Sequence, residues 1–251
     1  MIRHTADTQD FSLCRSNGAA SGDCQNCSIR QLTMCGALAP AELDHMERIV
    51  AHKHMARGHQ LFEENQPSDH VYSLSEGAMR LFKLLPDGRR QIIGFALPGD
   101  FLGLASHNKN TYSAEAIADA AVCRFRRDDL AAVLRQFPQL EHRLLGMAND
   151  ALAAAQEQMV LLGRKTPIEK VASFLLTLSK RLQRLGRPAG AINLPMTRAD
   201  IADFLGLTVE TVSRSFTKLK NARAISLPTP DRVQVADAAA LESLATGATT
   251  L

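Results

Sequence analysis

The stretch from Thr197 to Asn221 constrains this chain more than any other part of it. Thr197-Arg198-Ala199-Asp200 has the Thr-x-x-Asp form of a helix N-cap, in which the carboxylate three residues on satisfies a second exposed amide. Ile201, Leu205, Leu207 and Val212 are apolar, Ala202 is small, and Gly206 falls where a short first helix ends. The spacing predicts a helix-turn-helix, because the small residue lets two helices approach and the glycine permits the left-handed turn between them. Thr208 then caps a second helix running to about Asn221. On it Glu210, Ser213, Arg214 and Thr217 share an outward face, opposite Val212, Phe216 and Leu219. Arginine can bond guanine bidentately, glutamate can accept from cytosine, and serine serves either kind of edge. Lys218, Lys220 and Arg223 lie towards phosphates. Residues 224–227 and 232–235, joined by a Pro-Thr-Pro-Asp turn, read as a two-stranded wing. Double-stranded DNA is the partner this pattern implies.

Charge agrees. Residues 1–163 hold 16 Lys and Arg against 19 Asp and Glu, whereas residues 164–251 hold 13 against 7, so the basic excess sits around the helix-turn-helix. That asymmetry points to an anionic partner for the C-terminal part and another task for the N-terminal part. No window approaches the 18 or so apolar residues of a membrane span, and the first residues lack the apolar core of a secretory signal. A cytoplasmic protein is expected. No nucleophile-base pair, Gly-rich phosphate loop or suitably spaced carboxylate pair is present, so nothing in the pattern supports an enzyme.

Upstream, four segments are expected. Residues 1–36, rich in Ser, Gly, Asn, Gln and Cys, have no helical or strand period and read as a cysteine-rich loop. Residues 37–137 open with a short helix over 39–50 and continue as short strand-like runs divided by glycine turns, the signature of an antiparallel jelly roll. A helix follows over 127–137. After Pro138 a longer helix spans 138–163, where Leu145, Ala148, Leu152, Ala155, Met159 and Leu162 recur at alternating steps of three and four. Asp150 and Glu157 fall opposite this heptad seam, which suits pairing with a second copy, although such a stripe also suits packing within one domain. Residues 164–251 form the winged helix-turn-helix, entered by a helix from Pro167 to about Leu185. The fold class is therefore α+β.

Five cysteines without a secretory signal suggest reduced thiols engaged in metal or redox chemistry. Cys14, Cys24, Cys27 and Cys35 crowd into 22 residues, and Cys123 stands alone. Spacing alone serves structural zinc and an iron-sulfur cluster equally, and two ligand sets, one with Cys14 and one with Cys123, are open. His52-x-His54 places two imidazoles on one side of an extended segment, and these read as surface residues rather than ligands.

Glu210-Thr-Val-Ser213-Arg214 after Leu205-Gly-Leu-Thr-Val, preceded by a β-rich domain and a seam helix, resembles the CRP/FNR superfamily of bacterial transcription regulators. The resemblance runs from about Cys24 to Val235. Its FNR-type Glu-x-x-Ser-Arg signature implies a homodimer on a TTGAT-N4-ATCAA-like palindrome, with Glu210, Ser213 and Arg214 as base readers and RNA polymerase as a partner. Cys24-x2-Cys27-x7-Cys35 with Cys123 is similar to the oxygen sensors of that group, which implies a [4Fe-4S] cluster on those four thiolates and leaves Cys14 a bystander. By the same resemblance the intact cluster favours the DNA-binding dimer and oxygen dismantles it. A zinc-stabilised or constitutive regulator is the alternative. The stretch matching the superfamily's cyclic-nucleotide cassette is Pro98-Gly-Asp-Phe-Leu-Gly-Leu104, with Leu104 where a ribose-binding glutamate is expected and no arginine from Ser106 to Ala121. A buried phosphodiester would lack its charge partner, so no cyclic nucleotide is expected.

Overall fold

The computed structural model of the protein describes residues 24–104 and 109–248. It divides into two compact units. The first runs up to Lys83 and again over Ile93–Ala151, and the second comprises Leu84–Ile92 and the chain from Leu152 onward.

Eight strands form two antiparallel sheets. They are β1 (Val50–Met55), β2 (Gln60–Phe62), β3 (His70–Glu76), β4 (Met79–Leu84), β5 (Arg90–Ala96), β6 (Phe101–Leu102), β7 (Ser113–Ala116) and β8 (Ala120–Arg126). They lie in the first unit, except that Leu84 at the end of β4 and Arg90–Ile92 at the start of β5 belong to the second. The sheet orders are β1-β8-β3-β6 and β2-β7-β4-β5, which is jelly-roll connectivity, and the α+β expectation holds. Leu74, Leu102, Ala120 and Val122 of the first sheet join Leu61, Met79, Ala114 and Ala116 of the second in one buried cluster between the layers. Gly77 turns β3 into β4 at φ +80°, and a Cβ there would lie 2.1 Å from the Asp119 carbonyl oxygen.

The other face of the first sheet is also covered. Val71 and Phe125 pack there with Met34, Leu38, Leu43 and Met46 from the N-terminal segment, with Leu130, Val133 and Leu140 from the helices α2 (Arg127–Gln136) and α3 (Pro138–Arg164), and with Phe137 between the two helices. The described part of the segment expected to be loop is thus tied down: it forms short 3-10 turns over Cys24–Asn26, Arg30–Leu32 and Met34–Ala37, with Met34 fully buried. The helix expected over 39–50 is shorter, a 3-10 turn at Pro40–Glu42 leading into α1 (Leu43–Glu47). Val50 leaves it because a β-branched residue suits the strand that pairs with β8, and Ile49 lies in the turn between them.

In the second unit α4 (Pro167–Arg184) starts on a capping box between Thr166 and Glu169. The helix-turn-helix is α5 (Arg198–Leu205) and α6 (Val209–Asn221), and the wing is β10 (Ile225–Thr229) with β11 (Arg232–Val235). Two elements were not expected: β9 (Ala191–Asn193), a third strand on the far side of β11, and α7 (Ala238–Thr246), which packs on α4. Among the described residues no helix is long and apolar enough to cross a membrane.

Candidate DNA interface and cysteine site

The presentation of α6 follows from its neighbours. Thr197 accepts from the Asp200 amide while the Asp200 carboxylate accepts from the Thr197 amide and hydroxyl at 3.0 and 2.7 Å, which fixes the start of α5. Gly206 ends it in the left-handed region at φ +61°, and Thr208 caps α6 by accepting from the Thr211 amide. Lys170 of α4, buried, donates to the Leu205 carbonyl at 3.2 Å and so occupies the C-terminal end of α5. Val212, Phe216 and Leu219 are buried, anchoring α6 by one face.

The opposite face is free of its own unit: Thr208, Glu210, Ser213, Arg214, Thr217 and Lys218 are all exposed. Glu210 sits at the positive end of the helix, and bonding to the backbone and to Thr208, with Arg214 nearby, holds its carboxyl below the usual range. The hydroxyls of Ser213 and Thr217 donate to the carbonyls one turn back, Val209 and Ser213, at 2.9 and 3.1 Å. Their lone pairs therefore face outward as acceptors, leaving Arg214 the strongest donor on the face.

Sequence reasoning missed two supports. Arg198 lays its guanidinium 3.4 Å from the centre of the Phe216 ring and donates to the Pro230 carbonyl in the wing turn at 3.1 Å, linking recognition helix to wing. Arg90 donates to Asp200 at 3.0 Å and to Asp203 at 2.7 Å. Asp200 is almost fully buried, so this is an ion pair with one desolvated end. No periodicity signals either contact.

On α3 the seam residues face outward in the single chain. Leu145 and Leu152 are each 58% exposed and Met159 64%, an apolar stripe whose size calls for a cover.

The cysteine site lies in the first unit. Register puts Cys123 of β8 opposite His52 of β1 and Ser73 of β3, on the sheet face that carries Val71 and Phe125. The N-terminal turns cover that face, so Cys24, Cys35 and Cys123 all pack on one buried cluster although the first and last are far apart in sequence. Cys27 is half-buried between two of the turns, and its carbonyl accepts from the Arg30 amide. Burial pushes the Cys35 thiol up, with Thr33 and Arg30 opposing. Among the described residues no three His, Cys, Asp or Glu side chains are close enough to hold a single metal ion. Cys24, Cys35 and Cys123 share one core face, with Cys27 between the adjoining turns, a set of four thiols whose soft-donor chemistry suits an iron-sulfur cluster and zinc alike. Cys14 lies outside the described residues.

Near the nucleotide cassette, Leu104 is 44% exposed. Two arginines of this unit have protein partners. Arg127 donates to the Gly103 carbonyl and to both oxygens of Ser68, and Arg80 pairs with Glu115 at 2.6 Å.

Fold and site together define a regulator that joins a jelly-roll sensor to a winged DNA-reading domain. Residues 169–244 match the Crp-like helix-turn-helix domain, and residues 52–137 match the cyclic nucleotide-binding domain. The chain is 48% identical over 220 residues to the transcriptional activatory protein AadR of Rhodopseudomonas palustris, covering 88% of this chain and 92% of that one. It is 44% identical to the nitrogen fixation regulation protein FixK of Bradyrhizobium diazoefficiens, covering 88% and 93%. Among solved structures, FixK2 from Bradyrhizobium japonicum superposes with a TM-score of 0.73 at 37% identity, over 78% of this chain and 97% of that one. The chain belongs to the CRP/FNR family of transcription regulators, DNA-binding proteins and not enzymes.

Proposed function

We propose that the protein is an oxygen-responsive transcription activator of the cytoplasm. It binds a TTGAT-N4-ATCAA-like palindrome as a homodimer paired through α3 and recruits RNA polymerase there. The observation that carries the sensing half is the gathering of Cys24, Cys35 and Cys123 on one core cluster, with Cys27 between the adjoining turns. These four thiolates would hold a [4Fe-4S] cluster, which when bound supplies an oxygen-sensitive tie between the N-terminal turns and β8. The tie bears on α3 because Met147 packs on the same core cluster as Cys24, Cys35 and Cys123. Ligation that fixes this cluster favours one setting of the seam, and loss of ligation shifts the population away from it.

The DNA-reading half rests on the exposed face of α6, where Arg214 meets guanine, Glu210 accepts from cytosine and Ser213 takes a neighbouring edge. The activator role is suggested by the name given to the relative AadR. The jelly roll binds no cyclic nucleotide in this reading. Leu104 offers no carboxylate to a ribose, and Arg80 and Arg127 are engaged by Glu115, Ser68 and Gly103.

The test is iron and acid-labile sulfide per chain after anaerobic reconstitution of the full-length protein. Four of each are expected for wild type and for Cys14→Ser. Cys24→Ser, Cys27→Ser, Cys35→Ser and Cys123→Ser should each lose them, since a hydroxyl is a poor ligand for this iron. Zinc at one equivalent with no sulfide would replace this reading with a zinc-stabilised regulator. Intact loading in Cys123→Ser with loss in Cys14→Ser would move the fourth ligand.

A further inference from the structure

The register that places Cys123 on the covered face also places two hydrogen-bonding side chains beside it. On one side, His52 Nδ1 lies 3.8 Å from Cys123 Sγ, within hydrogen-bond reach for sulfur. On the other, Ser73 is the direct cross-strand partner, is 96% buried, and has a hydroxyl with no hydrogen-bond partner among the described residues. Burying a hydroxyl unpaired costs free energy, so such a group marks a place where an acceptor is wanted. A thiolate is an acceptor only. Beside it, imidazole and hydroxyl must both be donors.

We propose that His52 and Ser73 are positioning residues that hold the Cys123 thiolate from both sides and thereby set the reduction potential of the group it ligates. This rests on the cluster reading above. Hydrogen bonds to ligating sulfur withdraw charge from it and stabilise the reduced form, a recognised lever on iron-sulfur potentials. Cys123 is the ligand suited to such control because it stands on a paired strand with neighbours fixed by register, whereas Cys24 and Cys35 stand on short turns and Cys27 between two of them. His52 is exposed, so its donation also lies at the solvent edge of the site.

The experiment is a spectroelectrochemical titration of the anaerobically reconstituted full-length chain, with iron and sulfide measured on the same samples. His52→Ala and Ser73→Ala should keep full iron and sulfide yet each shift the midpoint potential to more negative values. The double variant should shift further, and His52→Gln, which restores an N–H donor, should recover part of the loss. Neither substitution threatens folding, since one removes an exposed ring and the other an unpartnered hydroxyl. Fully loaded variants with wild-type potentials would overturn this proposal and leave the cluster reading standing. A wild-type chain that takes up no iron and sulfide would overturn both.

Discussion

The Arg198 guanidinium lies 3.4 Å from the centre of the Phe216 ring, a contact that joins the first turn of α5 to the buried face of the recognition helix. Because the same group donates to Pro230 in the wing turn, it ties α6 to the wing. Burial lowers its pKa, yet guanidinium remains charged at any physiological pH. Arg198→Ala should cost about 1–2 kcal/mol of stability in the second unit. Arg198→Lys should recover only part, since ammonium lacks the flat stacking face. Urea unfolding monitored by circular dichroism checks this, and equal midpoints for all three proteins would contradict it.

Base contacts and phosphate contacts separate on α6 in the proposed reading. Arg214→Ala should cost about 1–3 kcal/mol against operators carrying the contacted guanine and nothing against operators lacking it. Lys218→Ala should weaken every sequence alike and flatten the salt dependence. Titration of both variants against base-substituted duplexes checks this. A uniform loss for Arg214→Ala would assign it to phosphate.

Much of this was legible in the sequence, and what was not has physical causes. Capping residues, Gly206 and the apolar period carry the helix-turn-helix because those signals are local. The strand β1 carried no alternation: its Val-Ala-His-Lys-His-Met run is exposed over His52–His54, so hydropathy was silent while backbone pairing with β8 made the strand. The turns around Cys24 and Cys35 owe their order to burial of Met34 and Leu38 against a sheet formed by residues downstream, a tertiary effect no local period reports. Spacing alone leaves the cysteine ligand set open between Cys14 and Cys123. Only register could place His52 and Ser73 beside Cys123.

Glu210 supplies a prediction in pH. Its carboxyl is held low by bonding to the backbone and Thr208, so the ionised acceptor is present above the ordinary carboxylate range and is lost only as pH falls through the depressed value. Discrimination at the contacted cytosine should therefore stay flat between about pH 5.5 and 8. Glu210→Gln should abolish it throughout. Fluorescence anisotropy across that range checks this, and discrimination that fades between pH 7 and 6 would assign the contact to a histidine.

The α3 stripe makes a geometric prediction. Ala155 is exposed midway between Leu152 and Met159, so in a parallel pair it faces its twin. Ala155→Asp would set two carboxylates together in an apolar strip, and dimerisation and operator binding should fall together. Glu157→Ala, off the stripe, should change neither. Analytical ultracentrifugation decides it, and an Ala155→Asp chain as dimeric as wild type would show that the copies pair elsewhere.

The most direct test of the whole account is operator binding by one anaerobically reconstituted sample, titrated on the TTGAT-N4-ATCAA duplex before and after admission of oxygen, with sulfide measured alongside. The account predicts tight, sequence-specific binding at full sulfide and loss of that specificity in proportion as sulfide disappears. Identical isotherms before and after, with the sulfide gone, would contradict it.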